Sequence, residues 1–356
     1  MIKVLIVDDS RVVREVLKDI LSDSGIEVIG EASDGKQAID LARDLKPDLI
    51  TMDVMMPVMD GLTAVEQIMA YYPTPILVFA SSLNRKDVNI AFEAIQLGAL
   101  DVVEKPDNLS TDGMKEMRGT LIHKIRLLSN IKVIRHIKGR RRNRIIEAPP
   151  AIEKAPISEQ KIKVVAIGAS TGGPKAVMSL FKQLPENLPT PILLVQHIGA
   201  NFTQGFVDWL DRESPLNVKM AEEGEKIRSG TVFVGPGERH LETVGDHVKL
   251  TSGPMVNNCR PSVDVLFSSV AKSFGEQSLA VLLTGMGRDG AEGMLDIKKR
   301  KGTTIVQDEQ SSTIFGMPKA AIELGVADKV VPLNDIPKEI VKITGAGHGK
   351  NTSGGR

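Results

Sequence analysis

The chain has almost no cysteine, no net charge and no long apolar run. Its 356 residues include one cysteine, Cys259. One thiol cannot form an internal disulfide, so a disulfide framework is excluded and a reduced compartment is the simple reading. Cys259 itself reads as a small buried thiol rather than a nucleophile. Lys plus Arg and Asp plus Glu each number 45. That balance excludes a uniformly basic nucleic-acid binder and a uniformly acidic disordered chain. No run of about 18 apolar residues occurs, so no membrane-spanning helix is expected. Met1–Val7 is apolar but meets Asp8 and Asp9 at once, too short for the core of a signal peptide. These absences together predict a cytoplasmic protein. No internal repeat is visible.

The zero charge conceals a pattern. Residues 1–124 carry −8, residues 125–163 carry +8, and residues 164–356 are balanced. Short apolar runs alternate with helical spacing over the first segment. Strands are expected at 3–7, 27–32, 48–52, 75–80 and 101–103, each followed by a helix. That alternation predicts a five-stranded parallel sheet covered on both faces. A basic run, Lys138–Arg144, then leads to Pro149, Pro150 and Pro156. Like charges repel and proline opposes helix, so this is a linker. A second α/β alternation begins near Lys163, with a hairpin around 239–250. The predicted division is therefore 1–124, a linker at 125–162, a second domain at 163–344, and a Gly/Ser-rich tail at 345–356 that is expected to be disordered.

Acidic residues gather at predicted strand ends of the first domain. Asp8 and Asp9 follow the first strand and Asp53 the third. Ser81 and Ser82 follow the fourth, and Lys105 the fifth. In an open parallel sheet these ends line one crevice. Crowded carboxylates call for a divalent cation with oxygen ligands, and magnesium would leave one carboxylate free to attack phosphorus. The residues Val7-Asp8-Asp9-Ser10, Met52-Asp53-Val54-Met55-Met56-Pro57, Met59-Asp60-Gly61, Ser81 and Lys105-Pro106 resemble a response-regulator receiver domain, with its flavodoxin-like fold. The resemblance implies that Asp53 accepts phosphoryl from a histidine kinase. It implies magnesium held by Asp8, Asp9, Asp53 and the Met55 carbonyl, with Ser81 and Lys105 on the phosphate. It also implies a cis Lys105–Pro106 bond. Val102 stands where the family usually has a switch aromatic.

In the second domain the strand Val164–Ile167 is followed by Gly168-Ala169-Ser170-Thr171-Gly172 and then a helix. This is G-x-S-x-G spacing in a strand–turn–helix setting, so Ser170 is the candidate nucleophile. The helix start offers free N–H groups for an oxyanion. A phosphate-cradling turn is the competing reading, but neither G-x-G-x-x-G nor Gly-Lys-Ser/Thr is present. Of six histidines, His197 follows a buried apolar strand at the same edge as Ser170. His240 and His247 are assigned to a polar hairpin. Asp289, beyond the strand 279–283, fits best as the orienting acid. Asp308 is a rival, and Asp264 reads as structural.

Gly168–Pro174, Gln196-His197, Arg260–Phe267 and Leu283–Gly290 are similar to the chemotaxis protein-glutamate methylesterase family, as is the order of receiver, linker and esterase. That resemblance implies a doubly wound, mostly parallel α/β hydrolytic domain with the triad Ser170, His197 and Asp289. It places the Met286 amide at the oxyanion hole, where the helix start near Thr171 is expected to supply a second donor, and the esterase reaction is expected to need no cofactor. The implied substrates are methylated glutamates of methyl-accepting chemotaxis receptors, with deamidation of receptor glutamines beside them. The implied phosphodonor is the chemotaxis histidine kinase. The receiver would cover the esterase cleft until phosphorylated. A monomer without nucleic-acid contact or membrane insertion is the default.

Overall fold

The computed structural model describes residues 1–81, 85–105, 111–133 and 162–345. The first unit runs β1 (Ile2–Val7), α1 (Arg11–Ser22), β2 (Ile26–Ala32), α2 (Gly35–Leu45) and β3 (Leu49–Met52). It continues with α3 (Gly61–Tyr71), β4 (Ile76–Ala80), α4 (Arg85–Leu97), β5 (Asp101–Glu104) and α5 (Thr111–Leu128). Its strands form one parallel sheet in the order β2-β1-β3-β4-β5. The strands read as near-continuous Val, Ile and Leu because helices cover both faces of such a sheet. Val4, Leu5, Ile6, Leu49 and Ile50 are accordingly fully buried. Acids cap the helices: Asp34 Oδ1 accepts from the Lys36 and Gln37 amides, and Asp60 Oδ1 accepts from the Thr63 amide.

The second unit begins with β6 (Val164–Ala169), α6 (Gly173–Phe181), β7 (Ile192–Gln196) and α7 (Ala200–Glu213). Next come β8 (Asn217–Met220), β9 (Thr231–Val234) and the hairpin β10 (His240–Val244) and β11 (His247–Thr251). Then follow α8 (Val263–Phe274), β12 (Ser278–Leu282), α9 (Ala291–Lys299), β13 (Thr303–Gln307), α10 (Met317–Glu323), β14 (Lys329–Val331) and α11 (Ile336–Thr344). Seven strands make one sheet, β14-β13-β12-β6-β7-β9-β8, with every pair parallel. The sequence pattern did not indicate β8, β14 or α11. Both strands are short sheet edges and only partly buried, so they lack the apolar run of a central strand. Pro337 in the first turn of α11 is compatible with helix because that amide has no intrahelical partner.

Chain order reverses between β6 and β12. The strands after β6 add on one side, and β12, β13 and β14 add on the other. The crevice at their carboxyl ends is where such sheets bind ligands. The two units share a core. Phe92 of α4 stacks on Trp209 of α7, with centroids 5.3 Å apart and planes 18° from parallel, and Phe202 and Phe206 complete the cluster. No described helix is long and apolar enough to cross a membrane. The basic run at 138–144, the tail beyond Gly345, Ser82 and Pro106 lie outside the described residues, as does the expected cis bond before Pro106.

Candidate functional site

Two clusters occupy the two strand-end crevices. In the first unit Asp8 is fully buried at the end of β1, and Asp53 is nearly so at the end of β3. Asp9 is exposed. Lys105 Nζ lies 2.7 Å from Asp8 Oδ2 and 2.7 Å from Asp53 Oδ2. The second oxygens accept backbone donors, Ser10 N–H for Asp8 and Met55 N–H for Asp53. Oxygens of Asp8, Asp9 and Asp53 all lie within 4.8 Å of one another. Burial, with Asp53's charge added, raises the Asp8 pKa above the ordinary carboxylate value despite Lys105. Burial would lower the Lys105 pKa, but the two carboxylates outweigh it and hold the ammonium above its usual value. Ser81 follows β4 directly. Val102 is a buried residue of β5, and its carbonyl accepts from Lys124 Nζ.

In the second unit Ser170 stands in the turn between β6 and α6. Its amide donates to Thr284 O at 3.0 Å, and its carbonyl accepts from Gln196 Nε2 at 2.8 Å. The serine backbone is thus clamped by the strand ends on either side. Gly285 passes so close that a Cβ there would lie 2.7 Å from Ser170 Cβ. Only glycine permits that approach, which brings Met286 beside the serine turn. Among the described residues, the Thr171 and Met286 amides have no protein acceptor.

His197 is tied to Ala169 O through its amide, 2.9 Å, at the end of β7. Its Nε2 lies 2.9 Å from Asp289 Oδ2. Its Nδ1 lies 3.7 Å from Cys259 Sγ. Burial would lower the imidazole pKa, but Asp289 and Cys259 outweigh it and lift the value to about 9. Among the described residues, Ser170 Oγ makes no hydrogen bond to His197. The histidine is thus paired with an acid on one ring nitrogen and faces the thiol on the other.

Asp289 is 2% exposed and accepts from five donors. Oδ2 takes His197 Nε2 and the Val263 amide. Oδ1 takes Ser262 Oγ, Asn257 Nδ2 and the Asp264 amide. Burial favours the neutral acid, yet these donors and the imidazolium lower its pKa to about 2. The rival Asp308 instead accepts from Ser311 N and Oγ within its own loop.

Two sequence readings need correction. Cys259 is half-buried and faces His197, so it is not an inert core thiol. His240 is not on a polar surface. It is 2% exposed, with Nε2 3.0 Å from Pro254 O and Nδ1 accepting from the Ser262 amide. It therefore braces the serine that holds Asp289. Sequence reasoning also missed Asn257, Ser262, Gln196 and Thr284. Ser262 lies in the Arg260–Phe267 run, which carries family character, but no spacing rule pointed to Asp289.

The first unit touches this site. His123 of α5 contacts Met286 Sδ. Ile314, whose amide donates to Thr284 Oγ1, packs against the receiver-side core. Glu104, next to Lys105, accepts from Asn201 Nδ2 of α7 at 2.7 Å.

The family described as CheB methylesterase matches residues 165–340, and the response regulator receiver domain family matches residues 4–111. A protein named protein-glutamate methylesterase/protein-glutamine glutaminase 2, from Anaeromyxobacter dehalogenans (strain 2CP-C), is 42% identical over 344 residues, covering 96% of this chain and 97% of that protein. A protein-glutamate methylesterase/protein-glutamine glutaminase of Pyrococcus horikoshii is 43% identical over 346 residues, covering 96% of this chain and 93% of that protein. The crystal structure of the Thermotoga maritima CheB methylesterase catalytic domain is 40% identical, with 51% of this chain and 97% of that chain covered and a TM-score of 0.49.

Proposed function

This chain belongs to the protein-glutamate methylesterase/protein-glutamine glutaminase family, and from that premise we propose that it is a phosphorylation-activated serine esterase. Its substrates are glutamate methyl esters on the cytoplasmic helices of chemotaxis receptors, and it also deamidates receptor glutamines. The observation that carries this reading is the meeting of Ser170, His197–Asp289 and two acceptor-free amides at one strand-end crevice.

Neutral His197 takes the Ser170 proton as Oγ attacks the ester carbonyl. Asp289 holds the imidazole and stabilises the imidazolium that forms. The Thr171 and Met286 amides receive the oxyanion, where losing one donor costs about 3 kcal/mol. His197 returns the proton to the departing methoxide, and methanol leaves. Water then attacks the glutamyl–serine ester, giving up a proton to His197, and free glutamate and Ser170 are restored. A glutamine substrate runs the same course with ammonia as the leaving group.

In the receiver, Asp53 is the phosphoacceptor and a histidine kinase the donor. The all-oxygen donor set of Asp8, Asp9 and Asp53 fits magnesium, and the Met55 carbonyl would be a further ligand. When bound, magnesium supplies positive charge to the transferring phosphoryl oxygens. Lys105 pairs with the phosphate, and Ser81 donates to it. Lys105 thereby leaves Asp8, and its neighbour Glu104 carries the change to Asn201 on α7. That route needs no switch aromatic, which suits Val102. Unphosphorylated, the receiver holds His123 over Met286 and obstructs the receptor helix.

Methanol release from methylated receptor membranes tests the reading. Ser170→Ala is expected to abolish release, a loss on the order of 10⁶ in rate, while Asp53 still takes up phosphoryl. Wild-type release from that variant would overturn the assignment.

A further inference from the structure

Asp264 is a carboxylate that the chemistry above does not use, and it is 7% exposed. It sits in the first turn of α8. Its Oδ1 does not serve that helix. It accepts from Gly290 N at 2.9 Å and Gly293 N at 2.7 Å, at the start of α9. Asp289, in the loop entering α9, does the reverse. It accepts from Val263 N and Asp264 N, at the start of α8. Each helix start therefore gives amides to the acid that belongs to the other, and at α8 the N-cap Ser262 Oγ also takes the Val265 amide. Asn257 Nδ2 ties the two acids together, 2.7 Å from Asp264 Oδ2 and 3.1 Å from Asp289 Oδ1.

The exchange requires the two helix starts to cross closely. At Gly293 a Cβ would meet Asp264 O at 2.8 Å and Asp264 Cα at 2.9 Å, so no side chain fits there. Helix N-termini present unpaired amides and partial positive charge, and a carboxylate answers both. A carboxylate that capped its own helix would leave the second helix start free to shift. The swap makes the position of Asp289 depend on α9, and the position of α9 depend on Asp264.

We propose that Asp264 is a positioning residue for the esterase reaction, holding Asp289 against His197 through this exchange of helix caps. The proposal rests on reading Ser170, His197 and Asp289 as the triad. Asp264 touches neither the nucleophile nor the histidine. It acts by fixing Gly290, the residue next to Asp289.

The test uses the full-length protein and methylated receptor membranes, with Asp264→Asn, Asp264→Ala and Ser170→Ala side by side. Asp264→Asn retains an oxygen for Gly290 and Gly293 but turns its amide toward the Asn257 amide. It is expected to lose about tenfold in kcat, and Asp264→Ala about a hundredfold, with KM unchanged. The titration of the His197 ring, followed by NMR, is expected to move in both variants because Asp289 shifts against it. A merely structural Asp264 would lower the thermal midpoint and leave kcat per folded molecule and the His197 titration at wild-type values. That result in Asp264→Asn overturns the proposal, even where Asp264→Ala does not fold. Methanol release by Ser170→Ala would instead overturn the triad reading itself, whatever Asp264 does.

Discussion

Both units place carboxylates at the carboxyl ends of central parallel strands, but they satisfy them in opposite ways. Asp8 and Asp53 share one lysine, and each keeps a single backbone donor. Asp289 takes five donors and sits at a helix N-terminus. An acid that exchanges ligands must be left under-satisfied, because every fixed donor would compete with a metal or phosphoryl group. An acid that orients a histidine must be over-determined, because a small displacement is costly in rate. The pKa directions follow this division: burial raises Asp8, whereas donors lower Asp289 despite its burial.

Substitutions at four places separate the two arrangements. The largest effect is expected at Asp289. Asp289→Asn keeps the size but faces an N–H with N–H donors, so methanol release should fall by about 10⁴. The same change should lower stability by about 1–3 kcal/mol through unpaired buried donors. Retained activity in that variant would remove Asp289 from the triad.

Next is the aromatic contact that joins the two units. Phe92→Ala removes the ring stacked on Trp209 and should weaken docking by about 3 kcal/mol. Unphosphorylated Phe92→Ala should then release methanol faster than wild type. An unchanged basal rate would mean that the docked receiver does not restrain the esterase.

Asp8 should behave opposite to Asp289. A carboxyl whose folded pKa is raised destabilises the fold at neutral pH, and the loss is recovered as pH falls through its folded value. Asp8→Asn is thus expected to raise the receiver's Tm, while abolishing magnesium-dependent phosphorylation. For Asp289 the folded pKa is about 2, so its contribution is present above the ordinary value of 3.8 and lost as pH falls through about 2. A lowered Tm in Asp8→Asn would show that Lys105 more than offsets burial.

The smallest effect concerns His197. Its folded pKa is lifted from 6.5 to about 9, so its ion pair stabilises fully below about 6.5 and fades as pH rises through about 9. The proposed reaction uses the neutral ring, so the rate should climb across the same interval. Cys259→Ala removes one of the groups holding the proton, and the midpoint of that climb should move to lower pH. An unmoved midpoint would assign the shift to Asp289 alone.

Much of this was legible in the residues. Val164–Ala169 followed by Ser170, Thr171 and Gly172 is a local pattern, and a strand–turn–helix needs nothing distant to form. His197 was found because it ends an apolar strand. Strand position alone favours Asp289 among three acids, and the structure pairs it with His197 while Asp308 serves its own loop and Asp264 the start of α9. Asp264 looked structural because its spacing is helical, and its spacing is indeed helical. What it caps belongs to another helix, and periodicity carries no record of that.

Apolar runs, glycine turns and acid caps act over a few neighbouring residues, so the strand–helix alternation of both units and most strand ends are legible in the residues, while the edge strands β8 and β14 and the helix α11 are not. Only the tertiary structure decided the ring contacts of His197, the half-buried place of Cys259, the bracing role of His240 and the crossed caps of Asp264 and Asp289. Each of those depends on segments far apart in the chain coming within 3.7 Å of one another. Such a distance is set by packing of whole helices and sheets, and no single stretch of residues encodes it.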